Sequence, residues 1–91
     1  MANARAHIFI SGRVQGVFYR STTKHKATKY GIKGWIRNLQ DGRVEAVFEG
    51  EETDVNRLVR FCRKGSPWCR VDNIEVYWES YTGDLLDFRI L

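Results

Sequence analysis

The stretch "GWIRNLQDGRVEAVFEG", residues 34–50, constrains this chain more than any other. Two strand-like runs flank Asp41-Gly42, a dipeptide that favours a tight hairpin turn. In the second run Val44, Ala46 and Phe48 fall on one face. A hairpin is therefore expected near the middle of the chain, and helical patterns stand on both sides of it. Upstream, "STTKHKATKY" reads as a helix in which Thr23, Ala27 and Tyr30 share a face. Ser21 or Thr22 is the expected cap and Gly31 the stop. Downstream, "EETDVNRLVRFCRKG" is the clearest helix. Val55, Leu58, Val59 and Cys62 recur at helical spacing, acids occupy the first turn, and Arg63 and Lys64 the last.

Strands are expected outside the helices. Ala6, Ile8 and Ile10 alternate with His7, Phe9 and Ser11, which implies a strand with both faces at least partly covered. "NIEVYWES" sets Ile74, Val76 and Trp78 on one face; "YTGD" is a turn and "LLDFRIL" a short last strand. The order is β-α-β-β-α-β plus a final strand. The solution for this order is an α+β, ferredoxin-like split βαβ sandwich, with two helices on one face of an antiparallel sheet. Antiparallel sheets tolerate a second face open to water.

A chain of 91 residues makes one domain, 1–91, and its 43% hydrophobic content is enough for one two-layer core. No apolar run approaches the ~20 residues that span a bilayer, and "MANARAHIFI" has no long apolar signal-peptide core. A cytoplasmic location with no membrane partner is expected. Cys62 and Cys69 fit no zinc pattern and read as buried or half-buried thiols, with a local disulfide left open by their spacing. Charge is unevenly divided. Residues 1–45 carry nine Lys and Arg against two Asp and Glu, and residues 46–91 carry six against nine. The basic half suggests an anionic partner, although Lys24, Lys26, Lys29 and Lys33 read as an ordinary solvated helix face and its surroundings.

"GRVQGVFYR", from Gly12 to Arg20, lies in that basic half, directly behind the first strand. In a split βαβ unit the first two strands are parallel, so their C-terminal ends share one edge of the sheet. The glycine-rich loop, the start of the first helix and Asn38 near the end of strand two are thus expected together. Gly12 and Gly16 allow backbone N–H groups to turn inward as an anion nest. The helix N-terminus adds positive potential, and the planar fork of Arg20 suits two phosphate oxygens. Asn38 offers a donor and an acceptor, enough to orient a water. Each residue has an ordinary explanation as well: loop glycines turn chains, an Arg before a helix is usually solvated, and an Asn before a hairpin is usually a turn residue.

The two stretches "GRVQGVFYR" and "GWIRNLQDGRVEAVFEG" closely resemble the signature regions of the acylphosphatase family. Their spacing, the second helix and the closing "DFRIL" extend the resemblance over nearly the whole chain. The departures are mild: Tyr19 where Phe is usual, and Ile36 where a smaller apolar residue is common. The resemblance implies the same fold and the hydrolysis of acyl phosphates to carboxylate and phosphate. It gives Arg20 the role of phosphate clamp and Asn38 that of positioning the attacking water. It makes the backbone amides of Gln15, Gly16, Val17, Phe18 and Tyr19 a phosphate cradle. A phosphate oxygen of the substrate takes the water's proton in this scheme, so no cofactor and no metal is expected. This agrees with the lack of a persuasive Cys/His pair or a carboxylate cluster beside the loop; His25, one turn into the helix, has no reason to face the site.

The remaining prominent residues read as structural. Trp35, Trp78 and Phe48 are expected in core or sheet-surface packing, and the Gln15 side chain as a brace for the loop. Trp68, on the loop before strand four, reaches the same edge and borders the acyl group or simply packs. One rival is an RNA-binding module using Phe9, Tyr77 and Tyr81 on the sheet face. The third strand, with its two glutamates, lacks the aromatic-rich pattern of such modules. Another is a domain serving a larger carbamoyl-transfer machine. The expectation is a standalone monomeric enzyme acting on a small acyl phosphate, with no specific nucleic acid partner.

Overall fold

A computed structural model describes residues 2–91. The elements are β1 (Asn3–Arg13), α1 (Tyr19–Lys29), β2 (Lys33–Asn38), β3 (Val44–Glu51), α2 (Glu52–Lys64), β4 (Arg70–Glu79) and β5 (Phe88–Ile90). The strands form one sheet in the order β4-β1-β3-β2-β5. β3 lies antiparallel between β1 and β2, which are therefore parallel to each other, as the split βαβ arrangement requires.

One expectation is corrected. The sheet is mixed rather than wholly antiparallel, because β5 pairs with β2 in parallel through Gly34, Trp35 and Ile36. The cause is topological. β4 runs antiparallel to β1 and so delivers the chain to the end of the sheet where β2 begins. Residues 80–87 then cross beneath the strands, and β5 can enter beside β2 only in the same direction. Glu49 fixes this crossing by accepting hydrogen bonds from the Thr82 N–H and hydroxyl, both at 2.9 Å, and from the Gly83 N–H at 3.2 Å.

The central hairpin closes with Leu39 N–H donating to the Arg43 carbonyl at 2.8 Å, leaving Gln40, Asp41 and Gly42 in a three-residue turn. Asp41 steadies it by accepting from the Arg43 N–H at 3.1 Å. Both helices pack on the face that carries Ala6, Ile8 and Ile10 of β1 and Val44, Ala46 and Phe48 of β3, all fully buried. α2 contributes Val55, Leu58, Val59 and Cys62, as its periodicity implies. Each such apolar side chain stabilises the fold by about 1.5–3 kcal/mol when fully buried. Phe48 lies in this core, Trp35 is half-buried, and Trp78 is exposed near the β4 edge.

The helix start differs from expectation. α1 begins at Tyr19, not after a Ser21 or Thr22 cap. Phe18 occupies the cap position in left-handed backbone (φ 62°), and no side chain caps the helix. Ser21 instead donates to the Phe18 carbonyl and Thr23 to the Tyr19 carbonyl. Hydroxyls turned back onto preceding carbonyls point away from the first-turn N–H groups and do not cap them here.

β3 is buried on both faces, including Glu45 and Glu49 on the side away from the helices. Alternating glutamates ordinarily mark a solvent-facing row. Here they are covered by partners from neighbouring strands. Arg5 pairs with Glu49 at 2.9 Å and Glu79 at 3.0 Å. His7 bridges Glu79 at 3.0 Å and Glu45 at 2.6 Å, and Arg37 reaches Glu45 at 2.7 Å. Burial is the largest influence on both buried carboxyls and pushes them up. The hydrogen bonds outweigh it: His7 and Arg37 hold Glu45 below the usual carboxylate range, and Thr82, Arg5 and Gly83 do the same for Glu49.

Candidate active site

The register places the candidate residues in one region. Val44 of β3 pairs with Ile10 of β1 on one side and Asn38 of β2 on the other. The end of β1, from which the loop departs, is thus in line with Asn38. Asn38 follows buried Ile36 by two positions and so stands on the helix-bearing face. Arg37, between them, faces the other way toward Glu45.

Gly12 has a different job from the one its place in the motif suggests. It belongs to β1, where the pairing with β4 shifts register between Ser11 and Gly12. Its φ is +125°, and a Cβ there would lie 2.2 Å from the Arg70 carbonyl oxygen. It therefore admits the β4 backbone at a bulge. The turning loop is left to Gly16 (φ +72°) and Phe18 (φ 62°), which alternate with Gln15, Val17 and Tyr19 of ordinary negative φ. Alternation of hand along successive residues is what turns neighbouring N–H groups into one concavity. Among the described residues, no N–H from Gln15 to Ser21 finds a hydrogen-bond acceptor.

Two polar contacts hold this loop from either flank. The Gln15 side-chain amide donates to the Leu39 carbonyl at 2.7 Å and the Arg43 carbonyl at 2.9 Å, tying the loop to the hairpin beside Asn38. The side chain is a brace, as expected. On the other flank the buried Ser66 hydroxyl donates to the Val17 carbonyl at 3.1 Å. Ser66 gave no signal in the sequence, because a Ser before a Pro reads only as a loop residue. Behind the loop Tyr19 is buried and donates to the Cys62 carbonyl at 2.8 Å. Its hydroxyl thus has a partner in α2.

Arg20 opens the first helical turn, half-buried, and makes no ion pair among the described residues. It lines a cleft of about 290 Å³ with Val14, Gly16, Phe18, Tyr19, Ser21 and Ile90. Ile90 of β5 was not anticipated there. It is brought in by the parallel pairing, which sets it against Ile36. Asn38 is exposed and is not part of the cleft wall; it borders the region through its register and through the Gln15 brace at Leu39. Trp68 is exposed on the α2–β4 loop and packs edge-on against Phe18 at 5.7 Å between ring centres. Cys62 is buried and Cys69 half-buried, both as free thiols. No group of three or more His, Cys, Asp or Glu is placed to hold a metal among the described residues.

The family model described as acylphosphatase matches residues 6–90. The chain belongs to the acylphosphatase family. An acylphosphatase of Haloarcula marismortui is 55% identical over 83 residues, covering 91% of each chain. The crystal structure of the Bacillus subtilis acylphosphatase superposes with a TM-score of 0.93 at 34% identity, over 97% of this chain and 98% of that one. Full-length HypF, solved in a phosphate- and nucleotide-bound form, is similar over only 12% of its length, with a TM-score of 0.83 and 29% identity. Like its curated relatives, this acylphosphatase is an enzyme that hydrolyses the carboxyl–phosphate bond of small acyl phosphates.

Proposed function

We propose that this acylphosphatase holds the phosphoryl group of its substrate between the Arg20 guanidinium and the N–H groups of Gln15 to Tyr19, and that Asn38 positions the attacking water. The observation that carries the proposal is a loop of alternating hand whose N–H groups find no acceptor among the described residues, ending at a helix start beside Arg20, which makes no ion pair among them. Such a loop attracts anions through aligned N–H dipoles. Arg20 adds a full charge and a two-pronged grip.

The reaction needs little more. Water oxygen bonds to phosphorus, the bond from phosphorus to the carboxylate oxygen breaks, and a phosphoryl oxygen of the substrate takes the water's proton. The products are carboxylate and inorganic phosphate. A carboxylate is a weak base and leaves readily, so positioning and charge stabilisation suffice. The residue pattern supports this scheme without a metal or cofactor, as its donors are N–H groups, a guanidinium and an amide.

The face of the sheet away from the helices favours this over an RNA-binding role. Glu45, Glu49 and Glu79 stand there, with their cationic partners already engaged. Phosphodiesters would meet carboxylates in place of free cations. No helix among the described residues is long and apolar enough to cross a membrane; we take the chain to act as a cytoplasmic monomer. The test is hydrolysis of a panel of acyl phosphates beside an ordinary phosphate monoester, with inorganic phosphate as inhibitor. Acyl phosphates should be cleaved, the monoester spared, and phosphate should compete. Equal cleavage of the monoester, or no competition by phosphate, overturns the assignment.

A further inference from the structure

We propose that Phe18 and Trp68 form the acyl-group subsite and select acyl phosphates whose acyl group is aromatic or large and apolar. The inference rests on the phosphate site placed at Arg20 above.

Phe18 lies on the wall of the same cleft as Arg20. It is 68% exposed, and Trp68, packed edge-on against it with planes at 68°, is 63% exposed. Single exposed apolar residues need no explanation. Two aromatic rings in contact at the mouth of an anion-binding cleft form a continuous apolar surface beside a charged anchor, which is the usual composition of a small-molecule site. Phe18 is also the one non-glycine residue with left-handed backbone among those described. A bulky side chain resists that conformation, and such strain persists chiefly where the fold over-determines it at functional positions.

The platform is fixed before any ligand arrives. Ser66, two residues before Trp68, donates to the Val17 carbonyl, one residue before Phe18. Cys69 N–H, one residue after Trp68, closes the turn onto the Ser66 carbonyl at 3.2 Å. The two rings are thus carried by segments tied together beside the phosphate loop, so a ligand need not order them.

The direction of the reaction places the acyl group on this side. In-line displacement at phosphorus puts the attacking water and the leaving carboxylate on opposite sides. Asn38 is on β2, two strands from β1 across β3; Trp68 precedes β4, which flanks β1 on the other side. Water positioned from the β2 side sends the carboxylate, and the group attached to it, toward the β4 side. Ile90, also on the cleft wall, comes from β5 beyond β2 and stands on the water's side.

The experiment compares kcat/KM for benzoyl phosphate and acetyl phosphate in the wild type and in Trp68→Ala, Trp68→Phe and Ile90→Ala. Trp68→Ala should lower the benzoyl-to-acetyl ratio about tenfold, the scale of a lost aromatic contact in an apolar pocket. Most of the change should lie in KM for benzoyl phosphate. Trp68→Phe should restore most of the ratio, and Ile90→Ala should leave it within about twofold. An unchanged ratio in Trp68→Ala, or a ratio that falls in Ile90→Ala instead, overturns the subsite while leaving acetyl phosphate hydrolysis, and so the phosphate site, standing. A wild type that cleaves neither compound overturns both.

Discussion

At the scale of single residues, the roles proposed for Arg20 and Asn38 differ, and their substitutions should separate them. Arg20 makes no ion pair among the described residues, so on its proposed role Arg20→Gln removes binding first. KM should rise and inhibition by inorganic phosphate should weaken; wild-type values of both constants would refute the role. Lysine is a poor replacement, since a point charge cannot grip two oxygens in a plane. Asn38 carries no charge and its proposed role is on the water, so Asn38→Ala should lower kcat about 100- to 1000-fold and leave KM nearly unchanged. Steady-state kinetics at saturating acyl phosphate decide this, and a variant retaining most of its kcat would exclude the role. Cys62 makes the opposite kind of prediction. Burial pushes its thiol up to about 12, so the native enzyme should resist alkylation there until unfolded, as mass measurement after labelling would show. Arg20 and Asn38 could be named as candidates from the sequence because their motifs are long and ordered. Phe18 was not legible as a helix cap: nothing in a local pattern proposes left-handed backbone for a bulky aromatic.

The elements meet through a few polar ties, which explains both what could be read and what could not. Element order follows from periodicity, and order alone brings the ends of β1 and β2 to one edge. The direction of β5 does not follow from periodicity, because a short alternating run looks the same in either orientation. Nor do the buried glutamates of β3, whose alternation resembles a solvent-facing row until Arg5, His7 and Arg37 are placed beside them. The tie to test for an effect on activity is Gln15, which joins the loop after β1 to the hairpin at Leu39 and Arg43. Gln15→Ala should destabilise the fold by about 1–3 kcal/mol, since two hydrogen bonds of about 0.5–1.5 kcal/mol each are lost, while the Arg43 carbonyl keeps the Leu39 N–H and the Leu39 carbonyl keeps the Gly42 N–H. It should also lower kcat more than it raises KM for acyl phosphate, because the loop keeps its N–H groups but loses its register to Asn38. Denaturant melts with parallel kinetics would test this, and normal kinetics in a destabilised variant would confine Gln15 to stability.

Over the whole molecule, the carboxylates of the open face set the response to acid. Glu49 titrates lower in the fold than in the unfolded chain, where a glutamate titrates near about 4.3. Its contribution is therefore complete above that value and is lost as pH falls through the lower, folded one. Glu45 and Glu79 are shifted in the same direction. Stability should be level near neutrality and decline below about pH 4.3. Glu49→Gln should cost stability at neutral pH and make the acid decline shallower, as thermal melts across pH would show. An acid limb unchanged by the substitution would move the effect elsewhere. β1 has a further consequence. It lies inside the sheet, between β4 and β3, and these neighbours come from as far along the chain as Glu79 and Glu51. Closing such wide loops loses entropy before any pairing offsets it, so this chain should fold slowly for its size. Until β3 and β4 have formed, the loop after β1 hangs from a strand with no partners, and the cleft at Arg20 is complete only once β5 brings Ile90 to its wall.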